Sequence, residues 1–243
     1  MIGAELPVPS MDDTPGLKAL PFLLGVIAGS VDVIGFLGLG GLFTAHITGN
    51  LVILAAHLVT GVDASLALML SVPVFIVALA ATRLAAAGFE RARVRALGPL
   101  LWAQFLLLVA FLAIGVSAGP DARPGAPIMI VAAMVGVCAM AVQNALVRVA
   151  LDGAPATAVL TTNITLLTMD LGEILLGKDA RHVAKARDRA RHTWPAIAGF
   201  LFGCALGAAC EAVLGLHALV LPVAGALIAL SAARLPARQA MPR

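Results

Sequence analysis

The stretch TAHITGNLVIL (residues 44–54) returns 113 residues later as TAVLTTNITLL (residues 157–167), with Thr, Ala, Thr, Asn and Leu in register. The sequence before it is repeated as well, because GVIAGSVD (25–32) resembles GVCAMAVQ (136–143). Matches of Ala and Leu arise readily by chance in an apolar chain, whereas the paired Thr-x-Asn motifs do not. The repeat therefore predicts two structurally related halves, each with one polar segment in apolar surroundings.

The composition predicts a membrane protein. Hydrophobic residues make up 61% of the 243 residues and charged residues 12%, and there is no Tyr. Soluble domains carry roughly 25% charged residues, about twice this share. Six apolar runs approach the ~20 residues that cross a bilayer as a helix, and strand-like alternation is missing. We therefore expect an all-α polytopic membrane protein. The six runs are Leu20–Leu39, Leu66–Ala87, Leu100–Val116, Ile128–Val147, Ala196–Leu214 and Leu219–Ala233.

The distribution of charge argues against nucleic acid as a partner and for the lipid bilayer. The net charge is +3, but the Lys and Arg residues stand in short segments between apolar runs and are not interleaved with aromatic residues. Cys138, Cys204 and Cys210 all lie within apolar runs and match neither a zinc pattern nor a disulfide framework. The sequence predicts no cofactor.

The basic loops decide how often the chain crosses the membrane. The segments FERARVRALG (89–98) and KDARHVAKARDRARH (178–192) should both be cytoplasmic. Between them lie two apolar runs and the second polar segment, Thr157–Leu176, so three crossings would put the loops on opposite sides. We therefore expect this segment, and the first polar segment Thr44–Leu58, to enter the membrane as re-entrant or broken helices without crossing it. Eight crossings remain the alternative, because Thr157–Leu176 is just long enough to span.

Three crossings per half give the halves opposite orientations, which is the inverted repeat of many secondary transporters and some channels. Four crossings per half would instead give parallel copies. We expect a disordered N-terminal tail (1–17), one transmembrane domain (18–233) with halves at 18–118 and 127–233, and a C-terminal tail (234–243). Both tails should be cytoplasmic, since Lys18 and Arg234 adjoin the first and last apolar runs.

The matched polar residues are the leading substrate-binding candidates. A helix that begins inside the membrane leaves backbone N–H groups unpaired at its start, and Thr and Asn cap such starts or coordinate a ligand there. Two helix starts that meet near the midplane would form a pseudosymmetric site. Capping and hydrogen bonding between helices are the structural alternative. The candidates are Thr48, Asn50, Thr161 and Asn163.

Asp32 is the most informative single residue. A carboxylate in the middle of the first apolar run is costly, so it must face protein or water or be protonated. It could carry a proton, bind a cation, or form a structural hydrogen bond to a neighbouring helix. Gln143 takes the aligned place in the second half, so only one half carries the charge.

Further candidates have weaker support. Asp170 and Glu173 are three residues apart on one helix face, and Arg148 is their expected salt-bridge partner. His46 could switch its protonation state, and Asn144 could add a polar contact. We expect no metal site, because His46 and His57 are eleven residues apart. No motif of a catalytic site is present, so no catalytic residue is expected.

The sequence also resembles a known family. The stretch GSVDVIGFLGLGGLFTAHITGNLVILA (29–55) is similar to the first signature of the YoaK family of bacterial membrane proteins. AVQNALVR (141–148), followed by TAVLTTNITLLTMDLGE (157–173), is similar to its second. The resemblance runs from about residue 20 to 233. It implies a bacterial inner-membrane protein of a family of unknown function, and it implies no substrate.

These observations favour a secondary transporter or channel for a small molecule or ion, with Asp32 as a possible site of proton coupling. The alternatives are an intramembrane enzyme and a structural or sensory membrane module without transport. The sequence leaves the substrate and the oligomeric state open.

Overall fold

The computed structural model describes residues 14–61, 65–119, 122–155 and 160–234. Within these ranges the chain forms eight α-helices and one 3-10 helix, and no strand. The helices are α1 (Pro15–Gly38), α2 (Ile47–Thr60), α3 (Leu66–Arg91), α4 (Leu97–Ser117), α5 (Pro127–Ala150), α6 (Leu160–Leu176), α7 (Ala180–Leu214), the 3-10 helix (Gly215–Leu219) and α8 (Val220–Arg234).

Capping residues define three of the helix starts. The Thr14 side chain accepts a hydrogen bond from the N–H of Leu17, and Pro15 occupies the first turn of α1. Ser65 caps α3 and Asp179 caps α7 in the same way. The helix therefore begins before residue 18, and the prediction of a tail extending to residue 17 is wrong for residues 14–17. Residues 1–13 and 235–243 lie outside the described part of the chain.

Five helical runs among the described residues are long and apolar enough to cross a membrane. Four are α1, α3, α4 and α5, and the fifth is the continuous run Ala180–Arg234. This last run contains a reversal, because Gly215 follows α7 with a φ of 55° that glycine adopts without steric cost. It therefore contains two helices that run in opposite directions, α7 and α8, and the prediction of an all-α polytopic membrane protein is confirmed.

Contacts between helix ends define the two ends of the bundle. At one end, which we call the basic end, α1 starts against the end of α8, with Gly16 touching Ala232. The Arg234 guanidinium lies 5.3 Å from the Trp102 ring near the start of α4. At the opposite end, which we call the far end, Gly38 at the end of α1 contacts Leu216. The first and last described helices thus begin and end at the same end of the bundle.

The two polar segments do not cross the bundle. α3 starts at the far end, where α1 stops, because the Ser71 side chain accepts a hydrogen bond from Asn50 and Asn50 is bonded to Phe43 beyond the end of α1. α3 then ends at Arg91, just before α4 starts at the basic end. In the second half, α5 ends at the basic end and α7 starts there. The chain therefore enters and leaves each of the segments that contain α2 and α6 at a single end of the bundle, as expected for segments that do not cross.

The packing has the two-fold pattern expected of an inverted repeat. The halves correspond as α1 to α5, α2 to α6, α3 to α7 and α4 to α8. α1 packs on α7 and α8, and correspondingly α5 packs on α3 and α4. α2 contacts α3 as α6 contacts α7, while α1 contacts α5 and α4 contacts α8 across the repeat. Because α1 runs from the basic end to the far end and α5 runs back, the repeat is inverted.

Glycines bring α1 and α7 into backbone contact. Gly199 lies on the backbone of Phe22 and Gly203 on the backbone of Val26, so the two helices run in the same direction. In return, Gly25 and Gly29 of α1 face the backbone of α7. Such close approach is how helices associate in lipid, where the hydrophobic effect supplies no attraction between them. The α1–α7 pair holds the first half of the chain to the second.

This packing predicts opposite effects for two Gly→Ala substitutions within helices. Gly203→Ala should lower the unfolding temperature, because its methyl group would overlap the Val26 carbonyl and overpacking costs about 1–3 kcal/mol. Gly88→Ala is the matched control. It has open space around it and should be neutral or stabilise the protein by up to about 1 kcal/mol. Thermal unfolding followed by fluorescence-detected size exclusion in detergent would measure both, and equal unfolding temperatures would contradict the packing.

Candidate functional site

The Asp32 carboxylate binds the chain segment that follows its own helix. Its Oδ1 accepts hydrogen bonds from the backbone N–H groups of Thr44 at 2.8 Å and of Ala45 at 2.7 Å. Only 3% of Asp32 is exposed, so these donors replace the water that the carboxylate has lost. Asp32 lies six residues before the end of α1, about 9 Å along the helix axis. The first polar segment therefore folds back by that distance before α2 starts.

His46 is the second partner of Asp32. Its Nδ1 forms a short hydrogen bond with Asp32 Oδ2. The ring also makes an edge contact with Phe200 of α7, with 5.3 Å between ring centroids. The His46 side chain is 30% exposed, whereas the Asp32 side chain is 4% exposed. The pair thus joins a buried carboxylate to an accessible imidazole, and no sequence pattern links Asp32 to His46, fourteen residues later.

Asn50 fastens the start of α2. Its Oδ1 accepts from the Phe43 N–H at 2.9 Å, and its Nδ2 donates to the Phe43 carbonyl at 2.7 Å and to Ser71 Oγ at 3.1 Å. Asn50 is 1% exposed and is the buried residue of α2, while Thr48 points away and is exposed. Asn50 is therefore the buried polar anchor of α2, beside the partly buried Ile47, Ile53 and Leu54, which pack against the core.

The partner of Asn50 belongs to a second repeated motif. Ser71-Val72-Pro73 in α3 corresponds to Thr193-Trp194-Pro195 in α7, and each proline lies inside its helix. As Asn50 meets Ser71, so Asn163 and Thr193 line one cavity in the other half. The two copies of this hydroxyl-x-Pro motif are both present in the sequence. They are separated by a different number of residues from the two polar segments, so an alignment on the polar segments does not match them.

The cavity lies at the basic end and has a volume of about 520 Å³. It is bounded by the end of α5, the connection that follows it, the start of α6 and the polar first half of α7. Both signs of charge are present on its walls. The charged and polar residues lining it are Arg148, Asp152, Thr162, Asn163, Asp170, Asp188, Arg189, His192 and Thr193.

Asp170 is paired differently from the prediction. Its carboxylate accepts from Arg189 of α7, with Nε at 3.1 Å from Oδ1 and a short bond from Nη2. The expected salt bridge from Arg148 is wrong, because α6 runs along α7 and places Asp170 opposite Arg189. Glu173 lines a neighbouring cavity of about 310 Å³ together with Lys185 and Arg189. The Asp170–Arg189 pair fastens α6 to α7.

The structure does not bring the four Thr and Asn candidates together, so the predicted midplane site is wrong. Asn50 is held at the far end, while Asn163 lines the cavity at the basic end. Thr48 and Thr161 are both exposed on their helices. The reason is the inversion itself, because each polar segment follows a helix that ends on a different side and folds back only part of the way.

Gln143 and Asn144 form contacts of another kind. Gln143 donates from Nε2 to the Leu24 carbonyl at 2.9 Å and accepts from Gln104 Nε2 at 2.6 Å. Gln143 and Gln104 are fully buried where α1, α4 and α5 meet. Asn144 donates to the Met140 carbonyl one turn earlier in its own helix. Gln143 therefore links three helices, whereas Asp32 holds a polar segment. Among the described residues no group of three or more His, Cys, Asp or Glu side chains is placed to hold a metal ion.

The contacts of Asn50 predict that its side chain is needed for stability. Asn50→Ala would leave the Phe43 backbone groups without a partner, which should cost about 1–3 kcal/mol. Thr48→Ala is the control on the same helix and should change the stability by less than about 0.5 kcal/mol. Unfolding temperatures in detergent would compare the two. Equal, small effects would mean that Asn50 does not fasten α2.

Comparison with known proteins assigns a family and no activity. No curated protein and no solved structure matches the chain. A family model described as "Protein of unknown function (DUF1275)" matches residues 20–232, which include both halves of the repeat and both polar segments. The resemblance to the YoaK family is consistent with this match. The chain thus belongs to DUF1275, a family of proteins of unknown function.

Proposed function

We propose that the protein is a secondary transporter for a small molecule or ion, coupled to protons through Asp32 and His46. The observation that carries the proposal is the buried Asp32 carboxylate, which holds the start of a non-crossing helix in an inverted repeat. Inverted repeats with broken or partly inserted helices are typical of proteins that expose a site alternately to the two sides of a membrane.

The contacts of Asp32 suggest how a proton would act. His46 is the accessible member of the pair, so a proton would arrive there from the far end and be shared with Asp32. Neutralising the carboxylate would weaken its hydrogen bonds with the N–H groups of Thr44 and Ala45, since bonds to a charged acceptor are the stronger ones. The start of α2 would then be free to move away from α1. Protonation would thereby shift the equilibrium of α2 from a position held against α1 to one released from it.

The asymmetry between the halves fits coupling at one end. Gln143 corresponds to Asp32 and cannot ionise, and its amide links α5 to α1 and α4. A proton would therefore act on the far-end segment alone. The basic-end segment would respond to solute or to the movement of the first half, with which it shares the α1–α7 contact.

One observation favours an enzyme as the second candidate. A carboxylate paired with an imidazole is a common arrangement for general base catalysis. In this site, however, Thr44 Oγ1 donates to the carboxylate Oδ1 at 3.3 Å, and no described hydroxyl forms a hydrogen bond with the imidazole. A general base that activates a hydroxyl nucleophile requires the hydroxyl beside the imidazole and the carboxylate behind it. We therefore propose transport as the function, with no catalytic activity.

The proposal includes an orientation and a compartment. The Arg-rich connection between α3 and α4 and the first half of α7 share the basic end with the first and last described helix termini. We place this end in the cytoplasm on the positive-inside rule. The bacterial inner membrane is the compartment that the YoaK resemblance implies. The lipid bilayer is the partner we propose, and nucleic acid is not a partner.

Proton movement in proteoliposomes tests the function. The full chain would be reconstituted with a pH-sensitive dye inside, and pools of amino acids, organic acids, sugars and monovalent cations would be added outside. We expect at least one pool to change the internal pH with the wild-type protein. Asp32→Asn should abolish the change, because the amide keeps the hydrogen-bond acceptor for Thr44 and Ala45 but cannot be protonated at this pH.

Glu90→Gln is the control for this experiment. Glu90 is an exposed acid in α3 at the basic end, away from the Asp32–His46 pair, so the variant should keep the wild-type signal. An unchanged signal in Asp32→Asn would refute the coupling role. No pH change with any pool would overturn transport and favour a structural or sensory module.

A further inference from the structure

We infer that the cavity at the basic end binds a small zwitterion that carries one carboxylate and one ammonium group, such as a free α-amino acid. The inference rests on the proposed transport function and names the class of substrate. Its starting point is the size of the cavity. About 520 Å³ lies within the roughly 300–1,000 Å³ of small-molecule sites, and both charges and hydrogen-bonding groups line it.

The positive wall of the cavity is formed by Arg148 and the first turn of α6. Arg148 stands in the last turn of α5 and forms no ion pair with any residue of the described ranges. Thr162 and Asn163 line the cavity from the first turn of α6, so the positive end of that helix dipole lies beside the same space. A guanidinium and a helix start together suit a carboxylate.

Arg189 does not contribute a second free positive charge. Although it lines the cavity, its guanidinium is bonded through Nε and Nη2 to the Asp170 carboxylate. The pair neutralises both charges and fixes the wall between α6 and α7. Arg148 is thus the guanidinium of this cavity that is left for a ligand.

The negative wall is formed by Asp152 and Asp188. Asp152 follows Arg148 by four residues, which inside a helix would allow the two to pair. The helix ends at Ala150, however, and Leu151 is extended with φ −136° and ψ 106°. Asp152 therefore leaves the face on which Arg148 stands. It forms no ion pair within the described chain, while Asp188 has His192 at 4.0 Å.

The unpaired opposite charges distinguish a zwitterion from simpler ligands. Asp152 and Asp188 would repel a phosphate or a simple carboxylate placed beside Arg148, and Arg148 would repel a simple cation. A ligand with a carboxylate toward Arg148 and an ammonium toward the two acids satisfies both walls. Arg148, Asp152 and Asp188 are exposed side chains, so each attracts its ligand group through water, and the loss of either ligand charge should weaken binding.

The position of the cavity indicates from which side the ligand would enter. The cavity lies between the end of α5 and the first half of α7, both of which are at the basic end. A ligand would therefore enter from the basic end.

Ligand-induced thermal stabilisation of the purified full chain tests the site. The probes are L-alanine, L-leucine and L-glutamine, each compared with its N-acetyl form, which lacks the ammonium group, and its amide, which lacks the carboxylate. At least one free amino acid should raise the unfolding temperature in a saturable manner, and neither derivative should do so. Arg148→Gln and Asp152→Asn should each weaken the apparent affinity at least tenfold.

Arg95→Gln is the matched control, since Arg95 is an exposed arginine at the same end, outside the cavity walls. It should keep the wild-type affinity. The inference is overturned if no free amino acid stabilises the protein, if the derivatives bind equally well, or if Arg148→Gln binds like the wild type.

The failure of this site can be separated from the failure of transport. Binding without any proton movement in proteoliposomes would keep the site and overturn transport. Proton movement with another solute, and no amino-acid binding, would keep transport and overturn the site.

Discussion

A carboxylate inside an apolar helix has to be compensated, and Asp32 obtains that compensation from the chain that follows. The N–H groups of Thr44 and Ala45 reach Asp32 only if the chain turns back after α1. This return keeps α2 at the end of the bundle where α1 stops, and Asn50 then joins α2 to α3 at the same end. The topology of the first half thus depends on the need to pair one buried charge and one buried amide.

The second half has the same topology in the opposite orientation along the bundle axis, which makes the repeat inverted. α5 ends where α1 begins, so its polar segment lies at the opposite end of the bundle. The contact between α1 and α7 and the equivalent contact between α5 and α3 link the halves. The two ends differ in chemistry, because the far end holds an ionisable pair and the basic end holds a charged cavity. On the function proposed above, the far end would take the proton and the basic end would take the solute.

The topology could be predicted from the sequence because hydropathy and the positions of Lys and Arg report directly on which segments cross. The candidate site was predicted in part. Asp32 and Asn50 stood out as polar residues in apolar surroundings, but their partners did not. Two of these partners are backbone N–H groups, which have no sequence signature. The partner of Asp170 is Arg189, nineteen residues away on another helix, where only the packing of α6 on α7 could select it over Arg148. The symmetry of the repeat predicted that the two polar segments meet near the middle of the bundle. They do not meet, because each segment folds back only part of the way from its own end.

The most direct test of the account is the side of the membrane on which the two polar segments end. Single cysteines at Thr60, Arg123 and Ala184, in a chain whose three native cysteines are replaced, would be treated in intact cells with a membrane-impermeant thiol reagent. Thr60 ends α2, Arg123 lies between α4 and α5, and Ala184 is in the basic first half of α7. The account predicts labelling at Thr60 and Arg123 and protection at Ala184. Labelling of Ala184 together with Arg123, or protection of Thr60, would mean that a polar segment crosses the membrane, and the inverted repeat would be wrong.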